Sequence, residues 1–155
     1  MKIKFSGIVA TQNQVHQRSP GLWVMSDLDG MKFTEHVELR TDHDLPESRV
    51  IGYMTDHWRE RSVMMAEFIA FGADVQTCDL IRQIMSRRLC ALSIGYFCSK
   101  RKTIKPNTKV WIGNRDYYSG ESGMELHQKS LIHEVSLTKD PVDARCCIER
   151  FQKIG

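Results

Sequence analysis

Apolar residues recur at every second position along most of this chain. They recur at every third or fourth position in one clear stretch. A period of two puts successive side chains on opposite faces of a strand, and a period near 3.6 marks one face of a helix. Residues 2–11 alternate and contain Ile8-Val9-Ala10, which predicts a first strand. Val37 and Leu39 alternate with charged residues and predict another, ending in the turn Asp42-His43-Asp44 with Pro46 closing it. Residues 49–58 and 61–70 read as an antiparallel hairpin around Arg59-Glu60. Leu92 to Cys98 and Ser130 to Thr138 read as two further strands, and Val110-Trp111-Ile112 as a short one.

The helical stretch begins near Thr77, where Leu80, Ile81, Ile84, Met85 and Leu89 share a face. Asp74 or Thr77 caps its start, and Arg87-Arg88 suit its C-terminus. A terminal helix is expected from Asp143 through Phe151. Residues 12–21, 99–107 and 114–123 read as loops. Around Asp29-Gly30 the pattern fits either a hairpin turn or a short helix. The sum is a mainly β chain with helices, a small barrel or sandwich.

The 155 residues suit one domain with a sizeable core. Hydrophobic residues make up 41% and charged residues 26%, ordinary for a globular chain. A net charge of +3 is too weak to argue for nucleic acid by itself. The clusters Arg87-Arg88 and Lys100-Arg101-Lys102 read first as a solvated face or turn. No apolar run approaches the roughly 20 residues that span a bilayer, and the first six residues alternate like a strand rather than forming a signal core. Five cysteines in no CxxC spacing read as reduced thiols of a cytosolic protein. No metal site is expected, because no second pair or spaced histidine completes a site around Cys146-Cys147, and the chemistry of the motifs below needs no organic cofactor.

Three short motifs carry chemistry. Ser93, in Ala91-Leu92-Ser93-Ile94-Gly95-Tyr96, is a small nucleophile inside an apolar strand. Gly95 shares its face and leaves room beside the hydroxyl. A serine hydroxyl is a weak nucleophile until a base takes its proton. His43, between two aspartates, offers that base, because a neighbouring carboxylate raises its basicity and fixes its tautomer. Glu134, in His133-Glu134-Val135-Ser136-Leu137, is a carboxylate in an apolar strand, costly unless paired. Alternation puts Glu134 and Ser136 on one face with Ile132, and His133 on the other. Each motif alone also fits an ordinary strand serine, loop histidine or solvated carboxylate. His57 competes as the base, His133 as the third member, and Cys98, on the face opposite Ser93, as a nucleophile.

In this order the motifs resemble the tailed-phage prohead (procapsid maturation) serine proteases, relatives of the herpesvirus assemblins. The matching segments are Asp42-His43-Asp44-Leu45-Pro46, then Val50-Ile51-Gly52-Tyr53, a hairpin and helix, Leu92-Ser93-Ile94-Gly95-Tyr96, and Glu134-Val135-Ser136-Leu137 followed by Pro141 and Ala144. Leu45 stands where the family often has proline. Many members also carry a scaffold-like C-terminal tail, whereas this chain stops soon after the last motif.

The resemblance implies a single protease domain over residues 1–155. Its fold would be a partly closed antiparallel β-barrel surrounded by a few helices, herpesvirus-protease-like. It implies Ser93 as nucleophile, His43 as base and Glu134 as third triad member, with Arg145 the nearest candidate for the oxyanion hole. The substrates would be the scaffold protein and scaffold-like segments of the major capsid protein, cut inside the assembling procapsid in the host cytoplasm, with self-cleavage also open. Neither a nucleic acid nor a membrane is an implied partner, and a homodimer is left open. A non-enzymatic capsid-assembly or scaffold-binding protein of the same fold is the alternative. A small basic nucleic-acid-binding barrel is the more distant one.

Overall fold

The computed structural model describes residues 1–16, 21–42 and 47–155. Eleven strands and one α-helix are found among them. They are β1 (Lys2–Thr11), β2 (Val15–His16), β3 (Trp23–Ser26), β4 (Met31–Thr41), β5 (Val50–Glu60), β6 (Val63–Phe71), α1 (Val75–Met85), β7 (Ala91–Ile104), β8 (Lys109–Ile112), β9 (Arg115–Tyr118), β10 (Met124–Thr138) and β11 (Ile148–Lys153). Nine strands form one strongly curled sheet, a half-barrel, and β8 with β9 forms a separate hairpin. The expected hairpin of residues 49–70 is β5 and β6, paired from Gly52 with Ala70 to Glu60 with Val63.

Strand β10 organises the sheet. Strand β7 pairs antiparallel with it from Met124 opposite Ile104 to Thr138 opposite Ala91. Its other edge is therefore left to β3 and β4, which lie along it in succession, both parallel to it. The fold is thus mixed rather than the antiparallel barrel expected. Strands β4 and β10 are far apart in sequence, so no short turn forces them to run in opposite directions. Between β3 and β4 the chain makes a 3₁₀ turn at Leu28–Gly30, capped by the Asp27 carboxylate, which accepts from the Asp29 N–H. The DG pair therefore bends one interrupted strand instead of closing a hairpin. A Cβ on Gly30 would lie 1.7 Å from the Gln128 carbonyl oxygen, so only glycine lets the turn approach β10.

Helix α1 begins with a capping box. The Asp74 carboxylate accepts from the Thr77 N–H, and the Thr77 hydroxyl accepts from the Asp74 N–H. Its buried face carries Ile81 and Ile84 into the main core. It is the one α-helix among the described residues, not one of several around a barrel. The expected terminal helix is instead β11, antiparallel to β1 from Ile3 opposite Lys153 to Gly7 opposite Ile148. The backbone groups of β1 dictate this outcome, since burial obliges them to find partners. Residues 99–104 continue β7, and Arg115–Tyr118 pair with β8, where loops were expected.

The ends of the curled sheet are stitched together by a short segment. Ala91 forms an isolated bridge with Cys147. Leu92 donates its N–H to the Cys146 carbonyl at 3.0 Å, and Ile148 donates to Cys90 at 2.7 Å. Ile8 of β1 donates to Cys147 at 2.9 Å. The principal core lies inside the curl around the stacked rings of Phe5 and Phe68, 5.3 Å apart. A smaller one, with Met25, Ile104, Ile112, Met124 and Leu126, lies beneath the β8–β9 hairpin.

Candidate functional site

Alternation along β7 sends Leu92 into the core and leaves Ser93 and Gly95 on the outer face of the sheet. Pairing with β10 puts Ser93 opposite Ser136 and Gly95 opposite Glu134. Ser93 is half-buried and Ser136 fully buried. On the far side of β10, Glu38 of β4 is in register with Glu134, and Arg40 with Ser136. Two polar rows therefore cross three strands, Ser93–Ser136–Arg40 and Gly95–Glu134–Glu38. The space that Gly95 leaves is taken by Glu134, since a Cβ there would lie 2.5 Å from the Glu134 Cγ.

The strand pattern breaks at His133. Ile132 pairs with Tyr96 and Glu134 with Gly95, so one extra residue of β10 is accommodated by a bulge. Ile132 and Val135 both point inward and are fully buried. His133 stacks on the exposed Phe97 ring at 4.6 Å, so it shares the outer face with Glu134. Simple alternation had placed His133 opposite Glu134 and Ile132 beside it. The bulge overturns both placements.

Arg40, missed in the sequence, is the hub of the face. Its guanidinium donates to the Glu38 carboxylate, to Ser48 Oγ at 3.1 Å and to the Ser48 carbonyl at 3.3 Å. It lies 3.7 Å from the Glu134 carboxylate. Ser48 in turn donates to the Asp42 carbonyl at 2.7 Å. Asp42, at φ +47°, donates its N–H to the Leu137 carbonyl at 3.0 Å. The only sequence signal for Arg40 was its alternation with Val37 and Leu39, which are buried. His43, the expected base, lies outside the described residues, as do Asp44, Leu45 and Pro46.

The other candidates are placed elsewhere. His57 on β5 stacks on Phe33 at 4.2 Å. Cys98 directs its Sγ to the Lys100 carbonyl at 3.3 Å. Arg145 is half-exposed, and its Nε donates to Asp143 at 2.8 Å. Asp143 and Ser93 both border one cavity of about 110 Å³, so Arg145 is anchored beside a residue of that cavity. The Cys146 thiol is pushed well above its usual range, chiefly by burial, and is a poor nucleophile. Burial raises Cys147 as well. Among the described residues no cluster of His, Cys, Asp and Glu is arranged to hold a metal ion.

Chemically, the face offers a half-buried hydroxyl beside a second hydroxyl, with a carboxylate held in place by an arginine. A hydroxyl and a carboxylate on adjacent strands are groups that acyl-transfer chemistry can use as nucleophile and orienting acid. Comparisons of the chain with models of known families, with curated proteins and with solved structures found no significant match.

Proposed function

We propose that this chain is a serine endopeptidase of the capsid-maturation type. The observation that carries the reading is the shared outer face of β7 and β10. Ser93 and Glu134 sit two residues apart in register there, with Gly95 making room for the carboxylate. The chain runs into His43 from Asp42, which is bonded to the residue following Ser136. In this reading Ser93 Oγ attacks the scissile carbonyl while His43 takes its proton. The tetrahedral intermediate collapses as His43 returns that proton to the leaving amine. Water then repeats the cycle on the acyl-enzyme. Glu134 orients His43 and balances its charge, and Arg40 positions Glu134. Arg145 remains the candidate donor to the oxyanion.

The substrates, scaffold and scaffold-like segments of a capsid protein, follow from the motif resemblance. The test is cleavage of the cognate scaffold. Ser93→Ala and His43→Ala should each lose at least about 10⁴-fold in rate. Glu134→Ala should lose less, because an orienting acid is worth less than nucleophile or base. The wild-type rate should rise with pH as the base loses its proton, from an ordinary value of about 6.5. A carboxylate partner favours the charged ring and moves that rise upward. Undiminished cleavage by Ser93→Ala would eliminate Ser93 as the nucleophile, and absence of cleavage by the wild-type protein would leave a non-enzymatic assembly protein.

A further inference from the structure

Beside the β8–β9 hairpin lies an open cleft of about 290 Å³, at the small end of ligand pockets, which start near 300 Å³. Arg115, Tyr117 and Tyr118 of β9 line one part of it. Asn13 and Gln14, between β1 and β2, and Arg145, between β10 and β11, line the rest, together with the buried Met25 of β3. Its lining is mostly polar, and no carboxylate of the described residues borders it. Asn13 is its one residue in common with the cavity that Ser93 borders.

The two arginines are held differently, and both keep donors to spare. Arg115 lies over the Tyr117 ring, 5.0 Å from its centroid, and pairs with no carboxylate among the described residues. That ring is itself fixed. The buried Gln12 amide turns its oxygen to the Leu28 N–H at 3.2 Å and its nitrogen to the Tyr117 hydroxyl at 2.9 Å. Arg145 is anchored through Nε to Asp143 at 2.8 Å, and its Nη hydrogens have no partner among the described residues. Arg115 and Arg145 against Asp143 leave one positive charge in excess. A guanidinium already seated on a ring or a carboxylate loses less freedom on binding than a free one.

The amides add to this. Gln14 turns its nitrogen to the Ser119 carbonyl at 3.0 Å, which can only accept, so its oxygen is the end left for an occupant. Asn13 makes no side-chain hydrogen bond among the described residues and can present either end. The cleft thus combines donors for an anion with an acceptor for a hydroxyl. A carboxylate is satisfied by one guanidinium fork. Two forks from separate elements suit a group with three terminal oxygens and nearly two charges at neutral pH, which is a phosphate monoester.

We propose that this cleft binds a phosphate monoester on a small hydroxylated body, the sugar-phosphate class, with Arg115 and Arg145 on the phosphate and Gln14 on a hydroxyl. The proposal goes beyond the protease reading and does not depend on it. Arg145 is also the candidate oxyanion donor there, so Arg115 is the residue to vary.

The test follows amide NMR shifts of the full chain, in wild-type and Ser93→Ala forms, as ribose-5-phosphate is added. The amides of Asn13, Met25 and Tyr117 should shift saturably and equally in both forms. Ribose should leave them unmoved, and gluconate, a carboxylate on a similar body, should bind at least tenfold more weakly. Arg115→Met should weaken ribose-5-phosphate at least tenfold, in line with lost hydrogen bonds to a charged group. Arg115→Lys, which keeps the charge without the fork, should fall between the two. Tighter binding of adenosine monophosphate identifies a nucleotide as the source, and equal or weaker binding a sugar phosphate. Absence of saturable shifts at the three amides, ribose or gluconate matching ribose-5-phosphate, or an Arg115→Met protein that binds like wild type would overturn the proposal. The shifts are read without any cleavage, so failure here leaves the protease reading standing, and loss of that reading leaves this one standing.

Discussion

Gly95 sets the geometry of the candidate site by what it lacks. With the Glu134 side chain packed over it, a methyl group there must push the carboxylate aside. Glu134 is 16% exposed and flexible enough to yield, so Gly95→Ala should fold. Displacing an orienting group by about 1 Å can cost on the order of 10²-fold in rate. Under the proposed mechanism cleavage should fall by about that factor, and Gly95→Ala combined with Glu134→Ala should be no slower than Glu134→Ala alone, because both would act through one carboxylate. Additive losses in kcat/KM would show that Gly95 acts otherwise. A second residue-scale expectation concerns Cys146. Its buried thiol, with a raised pKa, should resist alkylation at pH 8 in the native protein and label fully after unfolding, as read by peptide mass spectrometry. At this scale the sequence was informative for Ser93 and Gly95, because both depend only on strand alternation. It misled for His133, because a bulge depends on the partner strand. It was silent on Arg40, whose role arises from four groups that only the fold brings together.

Among the elements, α1 shows how a local signal survives into the structure. Its capping box lies within four residues, so no distant partner was needed to read it. The Asp74 carboxyl is lowered to about 2, first by the Thr77 N–H and then by Arg49. A depressed carboxyl stabilises the fold at pH above its unfolded value near 4, and that contribution disappears as pH falls toward 2. Asp74→Ala should therefore lower Tm at neutral pH, with the gap to wild type closing as pH falls from about 4 toward 2. A gap unchanged by acid would assign the loss to something other than the carboxylate. Strand β11 is the opposite case. Asp143 resembled a helix cap, yet it accepts from Thr11 and from Arg145, and the following residues are drawn into pairing with β1. The competing partner lies at the other end of the chain, beyond the reach of any window of local sequence. The parallel pairing of β4 with β10 was hidden for the same reason.

For the whole molecule, burial is concentrated where the sheet curls on itself. Phe68 is fully buried and stacked on Phe5 between β6 and β1. Truncating such a ring typically costs about 3–5 kcal/mol. Phe68→Ala should lower the unfolding free energy by that amount in urea, with the m-value unchanged if the denatured state is unaffected. The central place of β10 also bears on biosynthesis. Its partners along one edge, β3 and β4, leave the ribosome almost a hundred residues before it does. Until its last residues emerge, Ser93 has no Ser136 opposite it, Arg40 has no Glu134 to hold, and the outer face does not exist. A nascent chain of this protein is therefore chemically mute at that face until β10 has been made, and whatever the finished surface does begins only then.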